Sequence, residues 1–185
     1  MTRSWTGRVF IAASLDGFIA RTDGDISWLT DPEPGPNHHL PHSDASALEW
    51  EQFFGEVDHL VMGRGTYEKV LSFDTWPYPG KPVVVLSTTL QTTDPRIIVC
   101  RTLDEVVALL DARAAQVYVD GGKVIQAFLR ADLIDEITVT WVPVILGRGL
   151  PLFGDLDRDV RLELVATHAS GAGLVHATYR VYRER

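Results

Sequence analysis

Cysteine is almost absent from this chain of 185 residues: Cys100 stands alone. One thiol excludes an intramolecular disulfide and a multi-cysteine metal site, and such sparing use fits a reducing compartment. Positive charge is scarce too. Lys and Arg number 17 against 25 Asp and Glu, a formal net charge of −8. That balance argues against nucleic-acid and anionic-membrane partners, which are met through basic surface. No apolar run approaches the ~20 residues that span a bilayer. The opening MTRSWTGRVF passes straight into a strand pattern, without the look of a signal peptide. A cytoplasmic protein is expected. Hydrophobic content of 45% and charged content of 23% are ordinary for a soluble globular chain. With no linker, repeat or low-complexity tract, one domain over residues 1–185 is expected.

Short apolar runs alternate with helix-period segments. Residues 9–13 read as a first strand, buried on both faces because the apolar run is continuous. His59–Gly63, residues 82–87, Ile97–Cys100 and residues 117–119 read as further strands. Capping-box patterns at Ser46-x-x-Glu49 and Thr102-x-x-Glu105 open two helices, and residues 66–71 form a shorter one. This alternation predicts a mostly parallel sheet with helices on both sides. Residues 15–40, broken by Gly17, Gly24, Pro32, Pro34, Gly35 and Pro36, read as a long irregular loop, the kind that often carries function. In the last third, Ile137, Val139 and Trp141 alternate with Thr138 and Thr140, and Val160, Leu162 and Leu164 with Arg161 and Glu163. Ser170-Gly171-Ala172-Gly173 reads as a hairpin turn into residues 174–182. These strands are expected to be antiparallel, added to one edge of the sheet.

The segment QVYVDGGKVIQAFLRADLIDEITVTWVPVILGRG, residues 116–149, is the most informative. An apolar strand meets Gly121-Gly122 and a helical pattern begins at once, with Val124, Ile125, Phe128 and Leu129 on one stripe. A strand that breaks at glycines into a helix N-terminus presents bare N–H groups beside the positive end of a dipole, a geometry that binds phosphates. Met62-Gly63-Arg64-Gly65-Thr66-Tyr67-Glu68 offers a second such junction, and two junctions suit a dinucleotide. The plainer alternative is a tight turn that lets a helix pack closely. Likewise Arg64 could pair with Glu68 one helical turn on, and Lys123 could be simply solvated.

Further motifs stand in order: Ala12-Ala13-Ser14-Leu15-Asp16-Gly17, Val84-Val85-Leu86-Ser87-Thr88, Val119-Asp120-Gly121-Gly122, Leu133-Ile134-Asp135-Glu136 and Pro143-Val144-Ile145-Leu146-Gly147-x-Gly149. With the Met-Gly-Arg motif, the set resembles the dihydrofolate reductase-like superfamily over about residues 8–182. Within it the chain looks most like the reductase domain of the bacterial bifunctional riboflavin-biosynthesis deaminase–reductase and its stand-alone relatives. The resemblance implies an α/β fold with a mixed sheet of about eight strands and NADPH across the carboxyl ends of the central strands. It implies that Gly63, Arg64, Gly65 and Thr66 hold one end of the pyrophosphate, and Gly121, Gly122, Lys123, Val124 and Ile125 the other. Leu86, Ser87 and Thr88 would border the adenosine, Arg64 would meet the 2′-phosphate, and Ala13 and Ile19 would lie near the nicotinamide. A flavin-type cofactor in the same cleft stays open. Relatives of this type are often homodimers, and residues 137–145 could line an interface or form a central strand.

On the substrate side, the resemblance makes Asp16 the candidate catalytic residue and Ser14, Asp16 and Trp28 the candidate substrate contacts. Asp16-Gly17 could equally be a turn, and Trp28 could stack on a heterocycle or pin the loop to the core. Folate reductases carry a carboxylate on the helix before the Met-Gly-Arg strand; Ala47 stands at that place here, with Asp44, Glu49 and Glu51 nearby. His38, His39 and His42 lack metal-ligand spacing, and Ser14 and Ser87 lack a nucleophile-elbow context. No Lys or Arg occurs between Asp23 and Arg64, so this loop suits a neutral or cationic heterocycle better than a phosphate monoester. The expectation is an NADPH-dependent reductase of a small pyrimidine- or pteridine-like substrate. Its rivals are a folate or pteridine reductase and a nucleotide-binding module that has lost the chemistry.

Overall fold

The computed structural model describes residues 3–30, 45–169 and 173–183. Its strands are β1 (Thr6–Ser14), β2 (Phe18–Ala20), β3 (His59–Gly63), β4 (Val83–Leu86), β5 (Ile97–Cys100), β6 (Gln116–Asp120), β7 (Glu136–Val142), β8 (Leu150–Pro151), β9 (Leu162–Ala169) and β10 (Val175–Val181). Its helices are α1 (Ser27–Thr30), α2 (Ala45–Glu56), α3 (Arg64–Leu71), α4 (Leu103–Arg113) and α5 (Gly122–Arg130). Eight strands form one sheet in the order β5-β4-β3-β6-β1-β7-β10-β9, and β2 pairs with β8 in a separate ribbon. Strands β5 through β7 run parallel, while β10 is antiparallel to both β7 and β9.

Continuous apolar strands are what a sheet covered on both faces requires. One face packs under α4 and α5, where Val106, Leu110, Val124, Ile125 and Phe128 meet Val9, Val61, Val84, Val119 and Ile137. The other packs under α2 and α3, where Phe53, Val57, Tyr67 and Val70 meet Leu60, Met62, Val85 and Tyr118. The Thr102 cap forms: its hydroxyl accepts the Glu105 amide at 3.2 Å, and the Glu105 carboxylate accepts the Arg101 amide at 2.6 Å. Helix α2 starts at Ala45, ahead of the expected Ser46 cap; the side chains of that cap fall outside the described residues. So do His38, His39, His42 and Asp44.

Three expectations change. First, β7 is an interior strand, pairing with β1 in parallel from Arg8↔Glu136 to Ser14↔Val142 and with β10 on its other side. It is therefore unavailable as an interface. Its threonines are buried, because each meets a cross-strand partner: Thr138 with Thr178 at 3.0 Å and Thr140 with His176 at 2.9 Å. Paired hydroxyls bury at little cost. Second, residues 15–30 are partly regular, holding β2 and α1. Third, Phe10, Ile11 and Ala12 in β1 are only half-buried; they border the cavity described next.

Candidate active site

β1 and β6 pair only through Thr6↔Gln116, Gly7↔Val117 and Arg8↔Tyr118. Beyond Tyr118, β6 stays with β3 as far as Met62↔Asp120, whereas β1 leaves with β7. The sheet therefore splits at the carboxyl ends of its central strands, where the strand order reverses and ligands collect in open α/β sheets. A cavity of about 800 Å³ fills the split, a size typical of cofactor and small-molecule sites. Phe10, Ile11 and Ala12 form one wall; Ile19, Ala20 and residues 22–26 with Leu29 form another; Gly65, Thr66 and Gly121 lie along its edge, and Tyr78, Tyr118 and Asp120 also line it.

Helices α3 and α5 start at this edge from neighbouring strands. Gly121 has φ +86°, and a Cβ there would overlap the Thr66 hydroxyl; a Cβ on Gly122 would meet the Pro151 carbonyl at 2.6 Å. Both glycines are thus demanded by close packing, and that same packing brings two helix N-termini side by side. The Val124 and Ile125 amides bond the Gly121 carbonyl at 3.1 and 3.0 Å. The outward donors α5 can offer an anion are accordingly those of Gly122 and Lys123. At the outer end, the Arg64 guanidinium donates to the Thr89 hydroxyl at 3.1 Å and pairs with Glu68 at 3.2 Å. Arg101 donates to the Ser87 carbonyl at 2.7 Å. Two guanidinium groups thus flank the loop that leaves β4.

Asp120 closes the inner end of β6. Its carboxylate accepts the Gly121 amide at 2.8 Å and lies beside the Tyr118 and Tyr78 hydroxyls, and burial pushes its pKa up to about 6. The Tyr118 hydroxyl lies 3.0 Å from the Phe10 carbonyl, to which it donates. Burial first, and then the Asp120 charge, push both tyrosines upward.

A family model, the RibD C-terminal domain, matches residues 6–176. The chain belongs to the RibD C-terminal domain family. A protein from Shewanella sp. PV-4, provisionally assigned to riboflavin biosynthesis, has a solved structure that matches 96% of this chain and 99% of its own with a TM-score of 0.80 and 38% identity. An uncharacterized Bacillus subtilis (strain 168) protein, YwjB, is 33% identical over 172 residues, 88% of this chain and 91% of that protein. The dihydrofolate reductase of Enterococcus faecalis, solved with NADP(H), superposes with a TM-score of 0.69 at 19% identity over 98% of each chain. The fold is dihydrofolate reductase-like.

Within this RibD-type domain the expected residues fare differently. Ile19, Gly65, Thr66 and Gly121 border the cavity. Ala13 is fully buried with its side chain in the core, and Ala12 faces the cavity instead. The side chains of Val124 and Ile125 are core residues, so only their backbone stands near the helix start. Leu86, Ser87 and Thr88 leave β4 at the outer end, and the Ser87 hydroxyl accepts the Thr89 and Leu90 amides at 3.3 and 3.1 Å.

The Asp16 carboxylate is turned away from the cavity. It accepts the Ser14 hydroxyl at 2.7 Å and the Leu146 and Gly147 amides at 3.1 and 2.7 Å, and these bonds, the Ser14 hydroxyl foremost, hold its pKa below the usual carboxylate range. Ser14 is fully buried, accepting the Phe18 amide at 2.9 Å. Together the pair fastens the β1–β2 turn to the β7–β8 connection. Trp28 is 6% exposed and does not line the cavity; it anchors α1 to the core, while its neighbours Ile26 and Leu29 face the space. Asp120 and Arg101 were not among the expected site residues. Among the described residues no cluster of metal ligands is gathered, and no helix is long and apolar enough to cross a membrane.

Proposed function

We propose that this RibD-type domain is an NADPH-dependent reductase of a small, planar, neutral or cationic heterocycle. The observation that carries the reading is the split between β1 and β6, with two helix N-termini at its edge and a half-apolar cavity at its centre. A dinucleotide fits these groups as follows: amides at the starts of α3 and α5 hold the pyrophosphate. Arg64 and Arg101 meet the 2′-phosphate, which a guanidinium fork suits. Ile19 and Ala12 pack at the nicotinamide end. Bound there, the cofactor supplies a hydride to an electrophilic carbon. The chain's own part is to bind, orient and exclude water.

The substrate class follows from charge. Among the described residues, Asp23, Asp25, Glu68 and Asp120 line the cavity and Lys69 is the one cation there, so a phosphate monoester would be repelled and an amine-bearing ring favoured. Asp16 has a positioning role in this reading, holding the turn that forms one wall. The domain works as a cytoplasmic homodimer whose contact is β9, an edge strand exposed along its length with Leu162, Leu164 and Val165 at 42%, 55% and 46% exposure. Among the described residues no strand covers this edge, and an exposed edge is open to pairing with another chain. Sedimentation velocity should give a dimer that Leu164→Arg converts to a monomer; a wild-type monomer would remove the interface.

The experiment that tests the cofactor is calorimetric titration with NADPH, NADH and NADP⁺ in parallel. NADPH should bind well above NADH, and Arg64→Ala and Arg101→Ala should each weaken it by about tenfold or more, the worth of a charge-assisted contact to phosphate, leaving NADH unchanged. If none of the three nucleotides binds, the reductase reading fails.

A further inference from the structure

We propose that Asp94 is a positioning residue for cofactor choice: it clamps the β4–β5 loop against α3 so that Arg64 and Arg101 both face a 2′-phosphate. The proposal rests on the NADPH reading above, in which those two guanidinium groups meet that phosphate. Residues 87–96 contain no strand or helix, and Leu90 is the one buried residue among them. A segment with so little apolar contact is placed by its hydrogen bonds. Both arginines depend on where it lies, since Arg64 donates to the Thr89 hydroxyl and Arg101 to the Ser87 carbonyl.

Arg64 and Tyr67 stand three residues apart on one face of α3, and both reach this loop. The Tyr67 hydroxyl, on a buried ring, donates to the Asp94 carboxylate at 2.8 Å. The same carboxylate receives the Arg96 guanidinium as a fork, Nε at 2.9 Å and Nη2 at 2.7 Å, and accepts the Arg96 amide at 3.0 Å. In turn the Asp94 amide donates to the Thr92 hydroxyl at 3.1 Å. Arg96 lies over the Trp76 ring, its Cζ 4.3 Å from the ring centre. The Asp94 side chain is only 11% exposed, and an enclosed, charge-assisted fork fixes geometry as well as energy. That fork, foremost, holds the Asp94 carboxyl well below the usual carboxylate range, so the clamp is fully ionised near neutral pH.

The clamp matters because Arg64 has a second partner. Glu68, one turn on in α3, pairs with it at 3.2 Å and competes with a phosphate for its charge. Thr89 holds the guanidinium on the loop's side, and Thr89 keeps its place while Tyr67 and Asp94 tie the far end of the loop to α3. Once released, the loop carries Thr89 and the Ser87 carbonyl away, Arg64 falls back on Glu68, and Arg101 loses its support. A dinucleotide without a 2′-phosphate uses neither guanidinium. Charge alone predicts the opposite sign: neutralising Asp94 makes the protein less acidic, which should draw any polyphosphate in more strongly. Position and charge are therefore separable in one variant.

The test is calorimetric titration of wild type, Asp94→Asn and Tyr67→Phe with NADPH and with NADH. Asp94→Asn should weaken NADPH by about tenfold, the effect of losing a charge-assisted fork, and leave NADH within about twofold. Tyr67→Phe, which keeps the fork and changes no charge, should weaken NADPH alone by about threefold, as for one lost hydrogen bond. It carries the test where Asp94→Asn fails to fold. Unchanged or tighter NADPH binding in the folded variants overturns the proposal in favour of charge alone. An equal loss for NADPH and NADH overturns it as a general loosening of the fold. Either result leaves the reductase reading standing. Equal affinity of wild type for the two nucleotides overturns the arginine assignment together with the proposal, and no binding of either overturns the reductase reading as well.

Discussion

Gly121→Ala should abolish measurable dinucleotide binding and lower the unfolding free energy by about 3 kcal/mol or more. Two causes add. Gly121 adopts φ +86° and ψ 134°, a region essentially closed to residues with a Cβ, at a cost of about 1–3 kcal/mol. The new methyl would also overlap the Thr66 hydroxyl, forcing the start of α3 away from the start of α5. That movement separates the two sets of amides on which phosphate binding depends. Chemical denaturation of Gly121→Ala, Thr66→Ala and the double variant separates the causes, since neighbouring residues couple. Relief of the overlap should restore part of the stability in the double variant, while the backbone cost persists. A single Gly121→Ala variant within about 0.5 kcal/mol of wild type would contradict both arguments.

Much of this frame is legible in the sequence, and the reason is physical. Strands covered on both faces must be apolar throughout, so residues such as Leu60, Val61 and Met62 or Val83, Val84 and Val85 announce themselves without reference to the rest of the chain. A glycine pair between an apolar strand and a helical stripe does the same for the β6–α5 junction. Features that depend on distant neighbours are not legible in this way. Thr138 and Thr140 alternate like a solvated face, yet they are buried because Thr178 and His176 lie opposite them. Asp120, next to glycine, has the composition of a turn; only the fold sets Tyr78 beside it, from a connection some forty residues earlier.

The same holds at the periphery of the site. Arg101 follows an apolar strand like any surface residue, and its place beside Ser87 comes from the register Leu86↔Cys100. Asp16 and Ser14 carry the family resemblance, but Ser14 bonds to Asp16, and the Asp16 carboxylate bonds to the β7–β8 connection, more than a hundred residues on. Trp28 reads equally as a stacking platform or an anchor, and burial favours the anchor. In each case the residue type was informative and its partner was not, because partners are set by topology.

Asp120→Asn should stabilise the protein at pH 8 and leave its stability nearly unchanged at pH 4. In the unfolded chain this carboxyl group ionises near 3.8, whereas in the folded protein it holds its proton to about 6. Between those values the folded state binds more protons than the unfolded state, so stability falls as pH rises across the window and stays low above it. The full difference is worth about 3 kcal/mol, at 1.36 kcal/mol per unit of pKa. An asparagine keeps an acceptor for the Gly121 amide and carries no charge to bury, so the variant should recover most of that amount above pH 6 and little below pH 4. Urea unfolding at both pH values measures it directly. Equal effects at pH 4 and pH 8 would mean that the Asp120 carboxyl is hydrated in the folded state.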